Sequence, residues 1–141
     1  MPKTTASVGL GSSDLTSNPL SLSARFALTT DGTAGLEETT GLTRIKVGTS
    51  ATTIADESAD FTNSGESQLA YIYIKNFSTN ATTPVFTDSL IIKVSDGTNH
   101  LTLGHLAGGK ACLLPYSANN DITITADTAD TIVEYIIVHE G

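Results

Sequence analysis

The sequence predicts an all-β chain: an antiparallel β-sandwich of roughly eight strands, jelly-roll-like, led by an extended N-terminal arm. Three observations predict it. Thr, Ser, Asn and Gly fill most polar positions, and charged residues make up only 16% of the 141, so helix-forming Glu, Lys, Gln, Met and Arg are scarce. The branch at Cβ of threonine restricts χ1 and favours extended backbone. Apolar residues recur with period two in short segments, and Gly, Asn, Asp and Pro punctuate the chain between them. Hydrophobic residues make up 39%, which suits one domain with one core.

Taken in order, residues 1–20 carry no period and are rich in Gly, Ser and Thr, with isolated Val8, Leu10 and Leu15. They are read as an arm, disordered alone or ordered against a neighbouring subunit. Residues 21–141 are assigned to the sandwich. Ser21 to Thr29 alternates, with Leu22, Ala24, Phe26 and Leu28 on one face, and reads as a half-buried strand. Leu36 to Gly41 is read as a short helical turn or a loop. Thr43 to Val47 is a strand with Thr43, Ile45 and Val47 inward and Arg44 and Lys46 outward. Gly48 to Ser67 is a long polar interval, with a brief strand at Thr53 to Ala55.

Gln68 to Asn76 is the strongest strand in the chain. Leu69, Tyr71, Tyr73 and Lys75 share one side, and Ala70, Ile72, Ile74 and Asn76 the other. Neither side is cleanly polar, as expected of a central strand. Ser89 to Ser95 follows, and Asp96-Gly97 predicts a two-residue type I′ hairpin turn. That turn pairs Val94 with Asn99, Ile92 with Leu101 and Leu90 with Leu103, gathering Leu90, Ile92, Leu101 and Leu103 on one apolar face. Ala111 to Leu114 is a strand stopped by Pro115. Asp121 to Ala126 alternates, and Thr131 to Glu140 closes the chain. In the last segment Ile132, Glu134, Ile136 and Val138 share one parity, and Val133, Tyr135, Ile137 and His139 the other. Because the two richest strands are apolar on both sides, one side is expected against copies of the same chain, through Tyr71, Tyr73, Val133, Tyr135 and Ile137.

No motif names a reaction. The net charge of −8 repels phosphate backbones and anionic lipid, so no direct nucleic-acid or membrane binding is expected. No leader or apolar run of membrane-spanning length is seen. The single cysteine, Cys112, reads as a buried thiol. His100, His105 and His139 match no zinc spacing, no Ser–His–acid triad is recognisable, and Gly108-Gly109-Lys110 reads as a turn. Asp56, Glu57 and Asp60 read as a solvated acidic loop, not a calcium site. Asn76-Phe77-Ser78 and Asn80-Ala81-Thr82 match the glycosylation sequon by chance. No catalytic residue, metal or cofactor is assigned. Tyr116 with Asn119, Asn120 and Asp121, or Phe77 with Asn76 and Asn80, would suit a glycan platform. His139, beside Glu140, is expected at the surface or in an interface.

The segments YIYIKN, LIIKVSDGTNHLTLG, HLAGGKACLLPYS and DITITADTADTIVEYIIVHE, within residues 68–140, together resemble small β-sandwich structural proteins of tailed-bacteriophage particles. In size and style the chain is most similar to capsid decoration, or cement, proteins. That resemblance implies a non-enzymatic protein on the outer capsid surface of the virion. It implies a homo-oligomer, commonly a trimer, that binds the major capsid protein and stabilises the expanded shell. The arm would then contact the capsid through Val8, Leu10 and Leu15. Two other classes stay open: a fibre, baseplate or glycan-binding receptor-recognition module, and a metal-dependent cupin-like enzyme.

Overall fold

In the computed structural model, residues 4–12, 20–28, 36–39, 41–56, 69–117 and 120–140 are described. The strand expected at the centre is there. β6 (Leu69–Ser78) lies between β11 (Thr131–Glu140) and β9 (Ala111–Ser117), antiparallel to both. Its alternation sets the layers: Ala70, Ile72, Ile74, Asn76 and Ser78 are buried, while Tyr71, Tyr73, Lys75 and Phe77 lie half-buried on the outer side.

The other described strands are β1 (Thr4–Ser12), β2 (Leu20–Leu28), β3 (Leu36–Thr39), β4 (Thr43–Val47), β5 (Thr52–Ala55), β7 (Leu90–Ser95), β8 (His100–Leu106) and β10 (Asp121–Ala126). From β4 onward the pairing is nested about the β7–β8 turn. β7 pairs with β8, β6 with β9, β5 with β10 and β4 with β11. Successive pairs fall alternately in two sheets, one ordered β5-β10-β7-β8 and the other β3-β11-β6-β9 with β4 also on β11. A long antiparallel ribbon rolled in this way is a jelly-roll-like sandwich. The core lies between the sheets. Ile72, Ile74, Val133, Ile137 and Val47 from one meet Leu90, Ile92, Ile122, Ile124 and Ile54 from the other.

Several local expectations are corrected. Leu36 to Thr39 is a strand, not a helical turn or loop. β11 has ten residues and β4 only five. β4 pairs with the first half of β11, and β3 takes up the end of the same edge, from Val138↔Thr39 onward. Gly41, at φ 75°, breaks the chain between the two. Pro115 does not stop β9, which continues to Ser117 with Pro115 opposite Tyr71. β9 is an edge strand, so a residue without an N–H is tolerated there.

The β7–β8 register also differs. A type I′ turn needs positive φ at both central residues, but of the pair only Gly97, at φ 84°, has it. The Asp96 carboxylate instead accepts the backbone N–H of Thr98 at 3.0 Å and of Asn99 at 2.6 Å, and the Asn99 side-chain amide at 3.1 Å. These bonds hold the carboxyl at about 2, below its ordinary value. The result is a four-residue loop closed by Ser95↔His100. A bulge at Ile92/Lys93 then sets Ile92 opposite Gly104 and Leu90 opposite Leu106. Leu101 and Leu103 are left 64% and 48% exposed instead of joining the core.

β2 does not enter the sandwich. It pairs along its whole length with β1, from Thr4↔Leu28 to Ser12↔Leu20, as a separate two-stranded sheet. The boundary drawn after residue 20 therefore cuts a hairpin, and the sandwich strands begin with β3.

One corner of the sandwich is fixed by a buried asparagine. Asn76 Nδ2 donates to the carbonyls of Asp88 (2.9 Å) and Leu106 (2.8 Å), and its Oδ1 accepts the Ser78 N–H at 2.7 Å. Ser78 takes positive φ (62°) and its hydroxyl accepts the N–H groups of Asn80 and Val85. Asp88 caps Thr79 through both its N–H and its hydroxyl. The connection between β6 and β7 is thereby pressed against the turn between β8 and β9. A Cβ on Gly108 would sit 2.0 Å from the Val85 carbonyl oxygen. Gly108→Ala is therefore expected to destabilise the protein by about 1–3 kcal/mol, as overpacking does. A lowered urea midpoint with unchanged slope would show it.

Cys112 packs against the core beside this edge, and burial pushes its thiol up to about 11. At pH 8 its thiolate fraction is then about 0.001, against roughly 0.25 for a free cysteine. Iodoacetamide is expected to label the folded protein roughly 100-fold more slowly than the unfolded chain. Equal rates would contradict the burial.

Candidate interaction surface

The outer face of the five-stranded sheet is built from the outward parity of three neighbouring strands. Cross-strand pairs Ile136↔Tyr73, Val138↔Tyr71, Tyr73↔Leu113 and Tyr71↔Pro115 make one half of it apolar. The other half is charged. Arg44 Nη2 meets Glu134 Oε2 at 2.8 Å, Lys75 stands opposite Glu134, and Lys46 stands opposite Ile132. Phe77 is held between two cations, the Arg44 guanidinium 4.6 Å and the Lys75 ammonium 4.5 Å from its ring centre. Three of the chain's seven Lys and Arg side chains thus lie on this strip of an otherwise acidic protein. The Tyr73 hydroxyl is held above its ordinary range, by burial first and then by the charge of Glu134 and by Cys112.

Beside the apolar half runs an open groove of about 630 Å³. Thr5 to Gly9 of β1 form one wall, and Tyr73, Leu113, Ile136 and Val138 the other. On the hairpin, register puts Ala6, Val8 and Leu10 on one face with Leu22 and Ala24. Val8, Leu10 and Leu22 are 54%, 61% and 58% exposed. Among the described side chains of the hairpin, Val8, Leu10 and Leu22 are thus largely exposed where it borders the sheet.

The expected subunit-contact residues divide. Tyr71 and Tyr73 lie on the outer face. Val133 and Ile137 are fully buried in this chain's own core, and Tyr135 packs against that core from the same parity. This corrects their assignment to an interface: the outward parity of β11 is Ile132, Glu134, Ile136 and Val138. Glu134 was the signal, because a carboxylate seeks water or a cation and its parity faces out. His139 is likewise buried rather than on the surface. Val8 and Leu10 are on the hairpin, and Leu15 lies outside the described residues.

Neither glycan platform forms. Tyr116 is a buried core residue, and Asn76 spends its amide on the corner described above. His100 and His105 are on exposed positions of the edge strand β8, whereas His139 is buried in the other sheet, so the three do not converge. Asp56 is exposed, and Glu57 and Asp60 lie outside the described residues. Among the described residues no group of three or more His, Cys, Asp or Glu is placed to hold a metal. Gly108, Gly109 and Lys110 form a turn, with the Lys110 N–H on the Ala107 carbonyl at 3.1 Å.

Ser89, His105 and Asp127 do come together, but in the wrong order for nucleophile activation. Ser89 Oγ donates to Asp127 Oδ2 at 2.8 Å, and His105 Nδ1 is 3.4 Å from Ser89 Oγ. The acid takes the hydroxyl proton's direction and does not orient the imidazole. Burial works against the Asp127 charge, yet the Ser89 N–H and hydroxyl and the Thr128 hydroxyl outweigh it and hold the carboxyl below its ordinary range. The trio ties the start of β7 to the β10–β11 turn.

The chain matches no protein-family model and no curated protein. Among solved structures it is similar to a crystal structure of a pentameric capsid protein isolated from metagenomic phage sequences, with 15% identity and a TM-score of 0.40. The similarity covers 70% of this chain and 64% of that one, so the chain spans less than two thirds of that protein's length. That protein is described as pentameric, which stands against the trimer implied by the sequence resemblance.

Proposed function

We propose that this chain is a non-enzymatic virion structural protein that binds the outer capsid surface as an oligomer and stabilises the expanded shell. The observation that carries the reading is the pairing of two apolar surfaces outside the core: the outer face around Tyr71 and Tyr73, and the hairpin face with Val8 and Leu10. Apolar area left in water gains free energy when a partner covers it, about 25 cal/mol per Å². A chain that carries two such areas, one on its sandwich and one on its hairpin, is suited to joining neighbours.

Its action on a shell would be linked binding. A ligand that binds only the expanded lattice adds to its stability by mass action, and several contacts on one oligomer add avidity. The sequence cues in YIYIKN and in the closing strand support the phage particle as the setting. The hairpin anchors, Val8 and Leu10 together with Leu15, would seat the protein among its neighbours in the shell, and the major capsid protein would be the lattice it stabilises.

Val8→Asp with Leu10→Asp is expected to leave the urea midpoint nearly unchanged, because both side chains are exposed. The same variant is expected to lose cosedimentation with expanded phage capsids. Undiminished cosedimentation of a folded variant would overturn the assignment.

A further inference from the structure

We infer that the free edge of β8 is a contact between copies of this chain, pairing antiparallel with the β8 edge of a second copy about a two-fold axis. The inference deepens the reading above by naming the contact behind its oligomer, and rests on that reading only for the oligomer itself. β8 ends the sheet ordered β5-β10-β7-β8, and among the described residues nothing pairs with its outer side. A strand in that position turns a row of backbone N–H and C=O groups outward, and another extended backbone satisfies such a row. The other edge strands of the sandwich are protected against this. β9 carries Pro115, β3 carries Glu37 and Glu38, β4 carries Arg44 and Lys46, and β5 is only four residues long. β8, with the sequence HLTLGHL, has no Asp, Glu, Lys, Arg or Pro. Its one irregularity is the bulge, which leaves His100 to Thr102 and Gly104 to Leu106 in register with β7 on either side of Leu103.

Charge selects the occupant and its direction. A chain of net charge −8 repels its own copies over most of its surface, and β8 is an uncharged strip through which two copies can meet. A two-fold contact uses the same surface on both chains. Antiparallel pairing sets the β7–β8 turn of one copy beside the β8–β9 turn of the other, so the exposed Asp96 of each chain lies toward the exposed Lys110 of the other. Parallel pairing would set Asp96 toward Asp96 and Lys110 toward Lys110. Leu101 and Leu103, 64% and 48% exposed, are the apolar part of the seam. Leu101 stands opposite Val94, which packs against the core, and Leu103 borders an open apolar cleft of about 170 Å³ with Leu106, Cys112 and Leu114. A register centred on Thr102 sets Leu101 of each copy opposite Leu103 of the other. Each chain then covers apolar side chains that its own second sheet leaves in water.

The test measures the mass of the full-length protein in solution, without capsids, by sedimentation over a dilution series. The unsubstituted protein is expected to contain an even number of chains. Leu101→Lys with Leu103→Lys is expected to contain half that number, its pairing weakened about 100-fold or more by like charges across the seam. Leu101→Glu with Leu103→Glu is expected to do the same. Both variants should keep the urea midpoint, because the two side chains are exposed. Mixing the Lys variant with the Glu variant is expected to restore the original mass, since each Lys then meets a Glu. A single chain or an odd number of chains in the unsubstituted protein overturns the inference. So does a Lys variant of unchanged mass, or a mixture that does not recover it. Should the double variants fail to fold, Thr102→Lys and Thr102→Glu, at an exposed position in the middle of the edge, replace them. The two readings fail separately. A paired protein that does not cosediment with expanded capsids removes the capsid role alone. Cosedimentation of a protein that never pairs removes the β8 contact alone.

Discussion

The ladder between β6 and β11 is the constraint on which the rest of the molecule depends. It joins the middle of the chain to its end, so both sheets must be rolled before it can close. Its inward parity supplies Ile72, Ile74, Val133 and Ile137 to the core, and its free edges receive β9 on one side and β3 and β4 on the other. Each strand is flanked on both sides, so every backbone donor and acceptor along it has somewhere to go. The nested order follows. Once β6 and β11 are neighbours, the strands between them pair inward toward the β7–β8 turn, and the intervening chain is forced into the second sheet. Contacts so distant in sequence make this a slow topology to form, since loop closure comes before the ladder's reward.

The same alternation that builds the core also decides the outside. Residues of the other parity on β6, β9 and β11 cannot be hidden by the second sheet, and they are not polar enough to be a plain solvated face. The groups that elsewhere make reactions possible are here used for structure. Asn76 and Asp88 stitch a corner, Ser89 and Asp127 join two turns, and Cys112 is a packed thiol. Shape and apolar area are what the apolar half of this surface presents.

The strands themselves were largely legible, because period two in β6, β7, β10 and β11 is local information. What was not legible depended on partners far away in sequence. β3 is LEET, four residues without an alternation, and becomes a strand because half an edge of β11 needs pairing. β2 alternates well and was read into the sandwich, yet its partner is β1, whose short alternation of Ala6, Val8 and Leu10 is set among Gly and Ser and was read as having no period. The β7–β8 register failed on a competition within one residue. Asp96 was read as a type I′ turn former, and its carboxylate instead collected the N–H groups of Thr98 and Asn99, lengthening the loop. The interface residues failed on parity: Val133, Tyr135 and Ile137 looked as apolar as Ile132, Ile136 and Val138, and only Glu134 separates the two sets.

The hairpin shows why the apolar outer face and the N-terminal strands have to be considered together. Among the described residues the core of the jelly roll draws no side chain from β1 or β2. The hairpin, in contrast, has no core and must draw its order from whatever it packs on. On the outer face Tyr73 and Ile136 are only half-buried, and on the hairpin Val8 and Leu10 are exposed; apolar patches left in water promote uncontrolled association.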